Sequence, residues 1–323
     1  MDPETTELAT QPAGDAPVGA RITEAVTGYV HGNPAAVEQA VVTLLAGGHL
    51  LVQDVPGVGK TSLALAIARA IGARWSRIQF TPDLLPSDVT GSMVFDQSTV
   101  SFAFHPGPVF ASVVLADEIN RSSPRTQSSL LEAMQEGAVT VDGRTHALPR
   151  PFLVIATQNP VEMSGTYPLP EAQLDRFMMR ISLGYPDREA EARILQAQAD
   201  GASPEQVECV VTPEQFDAIL ARVQAVAVVP EVLAYIVAIA EATRLSAEVR
   251  LGVSPRGSVA LMRAARARAY MQGRAYVVPG DVQELAVAVL AHRLILEPGA
   301  SARGATAEAV IDRTLEQTPA PQP

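Results

Sequence analysis

The stretch from residue 49 to residue 70, HLLVQDVPGVGKTSLALAIARA, constrains the fold more than any other part of the chain. Its apolar start predicts a buried strand, and its end carries the apolar spacing of a helix. Between them lies a glycine-rich loop, in which backbone N–H groups can turn toward an anion at the N-terminus of the helix. This order is typical of a phosphate-binding loop, and its predicted contact residues are Pro56, Gly57, Val58, Gly59, Lys60, Thr61 and Ser62.

Two of these side chains have specific expected roles. Lys60 is expected to reach the β- and γ-phosphates of a nucleoside triphosphate, and Thr61 to give its hydroxyl oxygen to Mg²⁺. The general phosphate-loop pattern has a glycine where this chain has Asp54. Because of that departure, a loop that only connects a strand to a helix stays an alternative for this segment taken alone.

Two later apolar runs end in polar residues that point to the same chemistry. Residues 113–116 lead into Asp117-Glu118, and residues 151–157 lead into Gln158-Asn159-Pro160. Ligands of parallel sheets bind beyond the carboxyl ends of the strands. We therefore expect Asp117 to hold Mg²⁺, Glu118 to polarise an attacking water, and Asn159 to orient that water or contact the γ-phosphate. An acidic surface turn and an Asn-Pro turn explain the two segments without catalysis.

The chain divides into two patterns. Strands that are nearly all apolar alternate with helices up to residue 199, which predicts a parallel sheet covered by helices on both faces. Two β-hairpins are predicted at residues 93–104 and 139–146, the second around Asp142-Gly143. Four helical patterns that begin at prolines follow, at 213–223, 230–245, 255–271 and 279–290. We expect a disordered tail at 1–20, an α/β core at 21–199, a linker at 200–212, an all-helical domain at 213–302 and a loose tail at 303–323.

Arginines form a further group of candidates. Arg176 and Arg180 lie in or just after the segment PEAQLDRF, and Arg256 opens a helix of the second domain. An arginine at a subunit edge can neutralise charge that develops on a neighbour's γ-phosphate. A surface ion pair between Asp175 and Arg176 is the alternative for the first segment. Arg256 is expected to sense nucleotide as the helical domain closes.

Composition excludes some functions and favours one compartment. The formal net charge of −11 disfavours broad attachment to nucleic acid or to an anionic membrane. The single cysteine, Cys209, excludes an internal disulfide and favours a reducing compartment. Neither a secretory signal nor an apolar run long enough to span a membrane is evident, so a cytoplasmic protein is expected.

Taken together, these motifs resemble the MoxR family of AAA+ ATPases. The resemblance covers residues 21–300 and rests on the stretches 47–61, 115–136, 155–160 and 168–177. It implies a P-loop NTPase core with two β-hairpin insertions and a helical lid. It also implies that Lys60 and Thr61 are Walker A residues, Asp117 and Glu118 the Walker B pair, Asn159 sensor 1, Arg176 the arginine finger and Arg256 sensor 2. Val30-His31-Gly32 matches the segment beside adenine. Whether Arg176 or Arg180 is the finger, and whether Arg256 acts in cis or in trans, stays open.

The resemblance implies Mg²⁺-dependent ATP hydrolysis by a homo-oligomeric ring, with a hexamer as the expected size. It further implies chaperone-like remodelling or maturation of client proteins, often with a separate partner that carries a von Willebrand factor A domain or inserts a metal or cofactor. A nucleic-acid-dependent motor and a nucleotide-dependent regulatory switch with little turnover are the alternatives. The acidic net charge disfavours the first, and the intact Asp117-Glu118 pair disfavours the second.

Overall fold

A sheet of five parallel strands lies at the centre of the N-terminal domain. The computed structural model describes residues 18–98, 100–159 and 166–322. Its strands are β1 (Leu50–Gln53), β2 (Trp75–Gln79), β3 (Gly91–Asp96), β4 (Ser101–Pro106), β5 (Val113–Asp117), β6 (Ala138–Val141), β7 (Arg144–Ala147), β8 (Leu153–Gln158), β9 (Met179–Ile181), β10 (Val249–Leu251) and β11 (Ile295–Leu296). Its helices are α1 (Val18–Tyr29), α2 (Pro34–Leu45), α3 (Lys60–Ala70), α4 (Pro86–Thr90), α5 (Pro124–Glu136), α6 (Glu171–Leu174), α7 (Arg188–Ala199), α8 (Pro213–Gln224), α9 (Pro230–Leu245), α10 (Pro255–Met271), α11 (Pro279–Leu290), α12 (Pro298–Ala302) and α13 (Ala307–Gln317).

The central sheet has the strand order β2-β5-β8-β1-β9, and every pairing in it is parallel. Alternate residues of β1 show that both faces are covered. Leu50 packs in a core shared with α2, α3 and the helical lid, whereas Leu51 packs in a second core with α5. The carboxyl ends of all five strands meet at one edge and their amino ends at the opposite edge. The predicted α/β core with a covered parallel sheet is confirmed.

Both predicted hairpins are present. In the first, β3 and β4 pair antiparallel from Gly91 opposite Pro106 to Asp96 opposite Ser101. In the second, β6 and β7 flank a turn in which Asp142 and Gly143 both have positive φ angles, as an Asp-Gly hairpin turn requires. The two insertions contact each other, because the Phe104 ring stacks on His146 at a centroid distance of 3.9 Å.

The lid contains the four predicted helices, which are α8 to α11. It also contains an antiparallel pair of short strands, β10 and β11, that the sequence patterns did not predict. Each strand has only two or three residues and follows a helix, so no alternation of apolar and polar residues identifies it. None of the helices within the described ranges is long and apolar enough to cross a lipid bilayer.

The predicted tails need correction. Residues 1–17 lie outside the described residues, but α1 begins at Val18, inside the stretch expected to be disordered. The loose tail predicted at 303–323 is wrong for its middle part, because α13 (Ala307–Gln317) lies there. The Thr306 side chain caps this helix, and Val310 and Ile311 are buried against the lid. The Ala/Thr/Gln-rich composition concealed a short amphipathic helix.

Candidate functional site

The phosphate loop connects β1 to α3 with the geometry that its glycines allow. Gly57 and Gly59 have φ angles of 87° and 95°, which side chains with a Cβ rarely adopt. Gly59 is also the N-cap of α3 and has no side chain to cover the first N–H groups of the helix. The Lys60 Nζ donates to the backbone oxygen of Asp54 at 3.0 Å, so the lysine folds back over its own loop. The loop therefore presents N–H groups and one cation to a common space.

Asp54, which departs from the general pattern, has a structural task. Its buried carboxylate accepts hydrogen bonds from the backbone N–H of Leu183 at 2.5 Å and of Gly184 at 3.0 Å, and from the Ser182 hydroxyl at 3.1 Å. These residues follow β9, the strand next to β1. A glycine at this position could not hold that segment beside the loop.

The loop and the acidic pair face each other. One cavity of about 360 Å³ is lined by the phosphate loop, by Lys60 and Thr61, and by Asp117 and Glu118 at the end of β5. The structure brings all four side chains to one place, as their predicted roles require. Asn159 is buried directly after β8, the strand that lies between β1 and β5. The neighbouring Pro160 lies outside the described residues.

Thr157 aligns the two acids, a role that sequence reasoning missed. Its hydroxyl donates to the Asp117 carboxylate at 2.7 Å and accepts from the Glu118 N–H at 2.8 Å. Glu118 needs this support because its φ angle of 55° is left-handed, which is uncommon for a residue with a side chain. The hydroxyl therefore fixes the turn that points both carboxylates into the cavity.

Polar side chains of β2 and of the turn after β5 contact the same acids. The Arg77 guanidinium donates to Asp117 at 2.6 Å, and the Gln79 amide donates to Glu118 at 2.9 Å. Arg121 donates to the same Glu118 oxygen at 3.0 Å. Gln79 lies opposite Asp117 in the parallel register, which is why these side chains meet. The alternation of polar residues with the buried Ile78 in β2 was the available signal.

The residues expected to hold Mg²⁺ fit such an ion. Asp117 and Thr61 line the same cavity and supply a carboxylate and a hydroxyl, the hard oxygen ligands that Mg²⁺ prefers. Asp117 already pairs with one positive group here, the Arg77 guanidinium.

A second cavity adjoins the loop. It has a volume of about 200 Å³, and Val30, His31 and Gly32 line it together with Gly57 and Gly59. The segment predicted to lie beside adenine thus shares a cavity with the phosphate loop. Sequence reasoning did not identify its far wall, which comes from the segment after β9 and from α7: Leu183, Gly184, Pro186, Ile194 and Gln198.

The predicted arginines do not join this site. Arg176 and Arg256 line a separate cavity of about 300 Å³ together with residues that precede β1 and β9, among them His49 and Met178. This cavity lies at the amino ends of the strands, and about 13 Å of extended strand separates it from the phosphate loop. Arg180 lies elsewhere, in β9, where it is ion-paired with Glu308 of α13.

Comparison with known proteins agrees with this geometry. A family model described as "ATPase family associated with various cellular activities (AAA)" matches residues 49–179, and an AAA lid domain model matches residues 241–314. The chain is 43% identical over 299 residues to Chaperone MoxR1 of Mycobacterium tuberculosis, covering 88% of this chain and 78% of that protein. It is 51% identical over 282 residues to the uncharacterized protein YeaC of Bacillus subtilis, covering 87% and 88% of the two chains. A crystal structure from Cytophaga hutchinsonii, described as a candidate ATPase, has a TM-score of 0.86 and 37% identity, with 94% and 96% of the two chains covered. The chain belongs to the MoxR family of AAA+ ATPases.

Membership in the MoxR family confirms the resemblance that the sequence motifs indicated. The AAA model spans the phosphate loop, the acidic pair and Arg176, and the lid model spans Arg256. The lid model extends to residue 314, inside α13, which agrees with the corrected C-terminus. The individual roles of the site residues in this MoxR-family chain stay predictions.

His49, which lines the cavity with Arg176 and Arg256, is held in its neutral form. Burial is the main reason that the His49 pKa lies at about 4. The positive charges of Arg263 and Arg256 act in the same direction, and the hydrogen bond to the Met134 carbonyl opposes them. Its Nδ1 accepts from the Val154 N–H at 3.1 Å, so its Nε2 carries the proton that bonds the Met134 carbonyl at 3.0 Å. His49 is therefore a neutral ring held by two backbone groups beside Arg176 and Arg256, and not a proton donor to a ligand.

Proposed function

We propose that this MoxR-family chain hydrolyses ATP with Mg²⁺ at the interfaces between neighbouring copies of itself in a ring, with a hexamer as the expected assembly. The separation of two clusters carries the proposal. Lys60 and Glu118 line the cavity at the carboxyl edge of the sheet, whereas Arg176 and Arg256 line one at the amino edge. Each subunit therefore carries two halves of a site on different surfaces, and a head-to-tail ring joins them.

Binding of ATP uses the carboxyl edge alone. Val30-His31-Gly32 and the segment after β9 enclose the base, and the N–H groups of the loop with Lys60 hold the phosphates. Thr61 and Asp117 would hold Mg²⁺, which when bound neutralises charge on the β- and γ-phosphate oxygens. Thr157 keeps Asp117 in place through its hydroxyl.

Hydrolysis transfers the γ-phosphoryl group to water and releases ADP and phosphate. Glu118 polarises the attacking water, and Asn159 orients that water or contacts the γ-phosphate. Gln79 and Arg121 compete for the Glu118 carboxylate, so they must release it before it can act on water. Removal of the Glu118 carboxylate should therefore stop turnover without preventing ATP from binding.

The arginines act from the neighbouring subunit. Arg176 is preferred over Arg180 as the finger, because Arg180 is bound to Glu308 of its own chain whereas Arg176 lines an open cavity. Arg256 lines the same cavity, so both guanidinium groups approach one γ-phosphate of the adjacent subunit in trans. Such an arginine contributes strongly to the rate, because charge builds on the phosphoryl oxygens in the transition state.

The work that ATP hydrolysis drives is proposed to be chaperone-like remodelling or maturation of a separate client protein, with a von Willebrand factor A domain protein as a partner. The name Chaperone MoxR1 of the Mycobacterium tuberculosis relative supports this class of function. The exposed hairpin formed by β3 and β4 offers a contact surface, since Phe95 and Phe102 pack edge to face at its outer end and remain exposed.

Glu118→Gln tests the hydrolytic assignment. The amide cannot accept a proton from water, so turnover should fall below detection while ATP binding, measured with a fluorescent ATP analogue, stays within a few-fold of the unchanged chain. Glu132→Gln is the matched control, because Glu132 is exposed on α5. Sustained multiple turnover by Glu118→Gln would remove Glu118 from this role.

Mixing two inactive variants tests the interface assignment. Lys60→Ala lacks the loop cation but keeps its arginines, whereas Arg176→Ala keeps the loop and lacks the finger. In a random equal mixture, roughly a quarter of the interfaces combine an intact loop with an intact arginine. We expect activity to return in the mixture and to be absent from either variant alone. No recovery in mixed rings of normal size would overturn action in trans.

A further inference from the structure

Asp175, the residue before Arg176, lies where the core meets the lid. One oxygen of its carboxylate accepts from the Arg293 Nε at 2.7 Å, and the other accepts from the Ser254 hydroxyl at 3.2 Å. Arg293 lies in the turn after α11, and Ser254 immediately precedes α10. A single carboxylate of the core thus binds two separate parts of the lid. The surface pair with Arg176, weighed from the sequence, is replaced by this junction.

The buried Arg293 holds Asp175 at this contact between core and lid. Its side chain is 3% exposed, and its guanidinium donates to the backbone oxygens of Phe177 at 2.7 Å and Met178 at 3.2 Å. Burial lowers the Arg293 pKa, and the Asp175 carboxylate opposes that effect. A buried cation requires a counter-charge, and Asp175 supplies it. The position of Asp175 is therefore fixed by a side chain that has little freedom to move.

Ser254 transmits that position to the start of α10. Besides bonding Asp175, its hydroxyl accepts from the Gly257 N–H at 3.2 Å and caps the helix. Arg256 lies within this capped first turn. Arg176 is bonded covalently to Asp175. Asp175 is therefore linked to both arginines that line the cavity, to Arg176 through the chain and to Arg256 through the cap of α10.

The charge of the cavity fits an anion from outside the subunit. Arg176, Arg256 and Arg263 line it, and among the described lining residues Asp175 is the one carboxylate. That carboxylate is committed to Arg293 and Ser254. In the described part of the chain neither Arg176 nor Arg256 forms an ion pair, whereas Arg263 donates to the carbonyl oxygens of residues 46 and 47. Two guanidinium groups thus remain for a ligand.

We infer that Asp175 is a positioning residue for ATP hydrolysis, one that holds Arg176 and Arg256 together so that both reach the same γ-phosphate of a neighbouring subunit. The inference rests on the proposed function. Asp175 does not touch nucleotide. It acts by coupling the finger segment of the core to the first turn of the lid helix, so that the two arginines move as one unit.

Asp175→Asn in the full-length assembled protein tests the inference. The amide keeps the size of the side chain but removes the charge that balances Arg293. We expect kcat for Mg-ATP hydrolysis to fall about 10- to 100-fold, since small displacements of a charge-stabilising group have effects of this size. The KM for ATP should change by less than about threefold, because the phosphate loop of the same subunit is untouched. Unchanged kcat would overturn the inference.

Subunit mixing separates positioning from a folding defect. Asp175→Asn mixed with Lys60→Ala should recover activity, because Asp175→Asn subunits still offer an intact loop. Asp175→Asn mixed with Arg176→Ala should recover none, because both changes affect the arginine-bearing side. Failure of the first mixture, or recovery in the second, would contradict the inference. The mixture of Lys60→Ala with Arg176→Ala is the reference: if it fails, the proposed function fails, and if it alone succeeds, only the role of Asp175 is lost.

Discussion

The two edges of the central sheet differ in how their functional side chains are brought together. At the carboxyl edge, Lys60 and Thr61 belong to one loop, and Asp117 and Glu118 are consecutive residues at a strand end. At the amino edge, Arg176 comes from the core and Arg256 from the lid, and the buried Arg293 joins them through Asp175. The first edge is built by local motifs and sheet register, and the second by packing between domains.

In the proposed ring, this difference decides which half of the site each subunit supplies. The carboxyl edge, called the loop edge, gathers the phosphate loop and the acidic pair around one cavity. The amino edge, called the arginine edge, has Arg176 and Arg256 around another cavity that the phosphate loop does not line. The loop edge should therefore tolerate changes in the lid, and the arginine edge should be sensitive to them.

The largest expected effect contrasts Lys60→Ala with Arg176→Ala. Lys60→Ala should abolish both ATP binding and hydrolysis, because the loop loses the cation that holds the phosphates. Arg176→Ala should bind ATP normally and lose about 10³-fold in kcat, because the finger acts only on charge in the transition state. Equilibrium binding of a fluorescent ATP analogue and steady-state phosphate release measure the two properties. Equal loss of ATP binding in both variants would contradict the assignment of ATP binding to the loop edge alone.

Most of the loop edge could be predicted from the sequence, because its signals are contiguous. Gly57, Gly59 and Lys60 form one motif, and the apolar run before Asp117 fixes where those acids lie in a parallel sheet. Membership in the MoxR family followed from these stretches and two others, and the hairpin insertions followed from local signals of their own. The roles of Thr157 and Asp54 could not be predicted, because each depends on a partner in a different strand or loop.

The arginine edge was predicted only in part. Arg176 and Arg256 were found as candidates, but their position relative to the phosphate loop depends on how the lid packs, and no sequence pattern encodes that. Asp175 was considered only as a surface partner of Arg176, and nothing in the sequence singled out Arg293. The same limit applies to α13, whose buried residues are recognisable only once α9 and α11 provide a surface for them.

A smaller loss of activity is expected for Thr157→Val, which tests whether the Thr157 hydroxyl aligns the two acids of the loop edge. Valine keeps the buried shape but removes the hydroxyl that bonds Asp117 and the Glu118 N–H. We expect kcat to fall roughly 10-fold or more as the acids lose alignment. We also expect a loss of about 1–3 kcal/mol in unfolding free energy, since buried polar groups lose a partner.

Thr157→Ser is the matched control, because it keeps the hydroxyl and removes only a methyl group. Its kcat should lie much closer to that of the unchanged chain than the kcat of Thr157→Val. Denaturant unfolding and steady-state ATPase assays on both variants measure the two effects. Equal losses in the serine and valine variants would assign the effect to packing instead of hydrogen bonding.

An effect chiefly on stability is expected for Asp54→Gly, which restores the general phosphate-loop pattern. The glycine removes three hydrogen bonds to the segment after β9 and leaves two backbone N–H groups without their acceptor. The unfolding free energy should fall by about 1–3 kcal/mol, and KM for ATP should rise because Leu183 and Gly184 line the base cavity. Asp54→Asn keeps one acceptor oxygen and should show a smaller loss. Greater stability of Asp54→Gly would refute this account of the departure.

The smallest expected effect concerns pH at the arginine edge. The His49 pKa is about 4 in the folded chain, below its ordinary value of 6.5, because burial disfavours the charged ring. Between pH 4 and pH 6.5 the His49 ring binds a proton more readily in the unfolded chain than in the folded one. The free energy of unfolding should therefore fall as pH is lowered, and His49 should account for about 1 kcal/mol of the loss between pH near 7.5 and pH near 5.5. His49→Gln should weaken that pH dependence, while the exposed His105→Gln should retain it. Denaturant melts at pH near 7.5 and 5.5 measure the change in the free energy of unfolding for each variant. An identical pH dependence in His49→Gln and the unchanged chain would show that the ring is not buried in its neutral form.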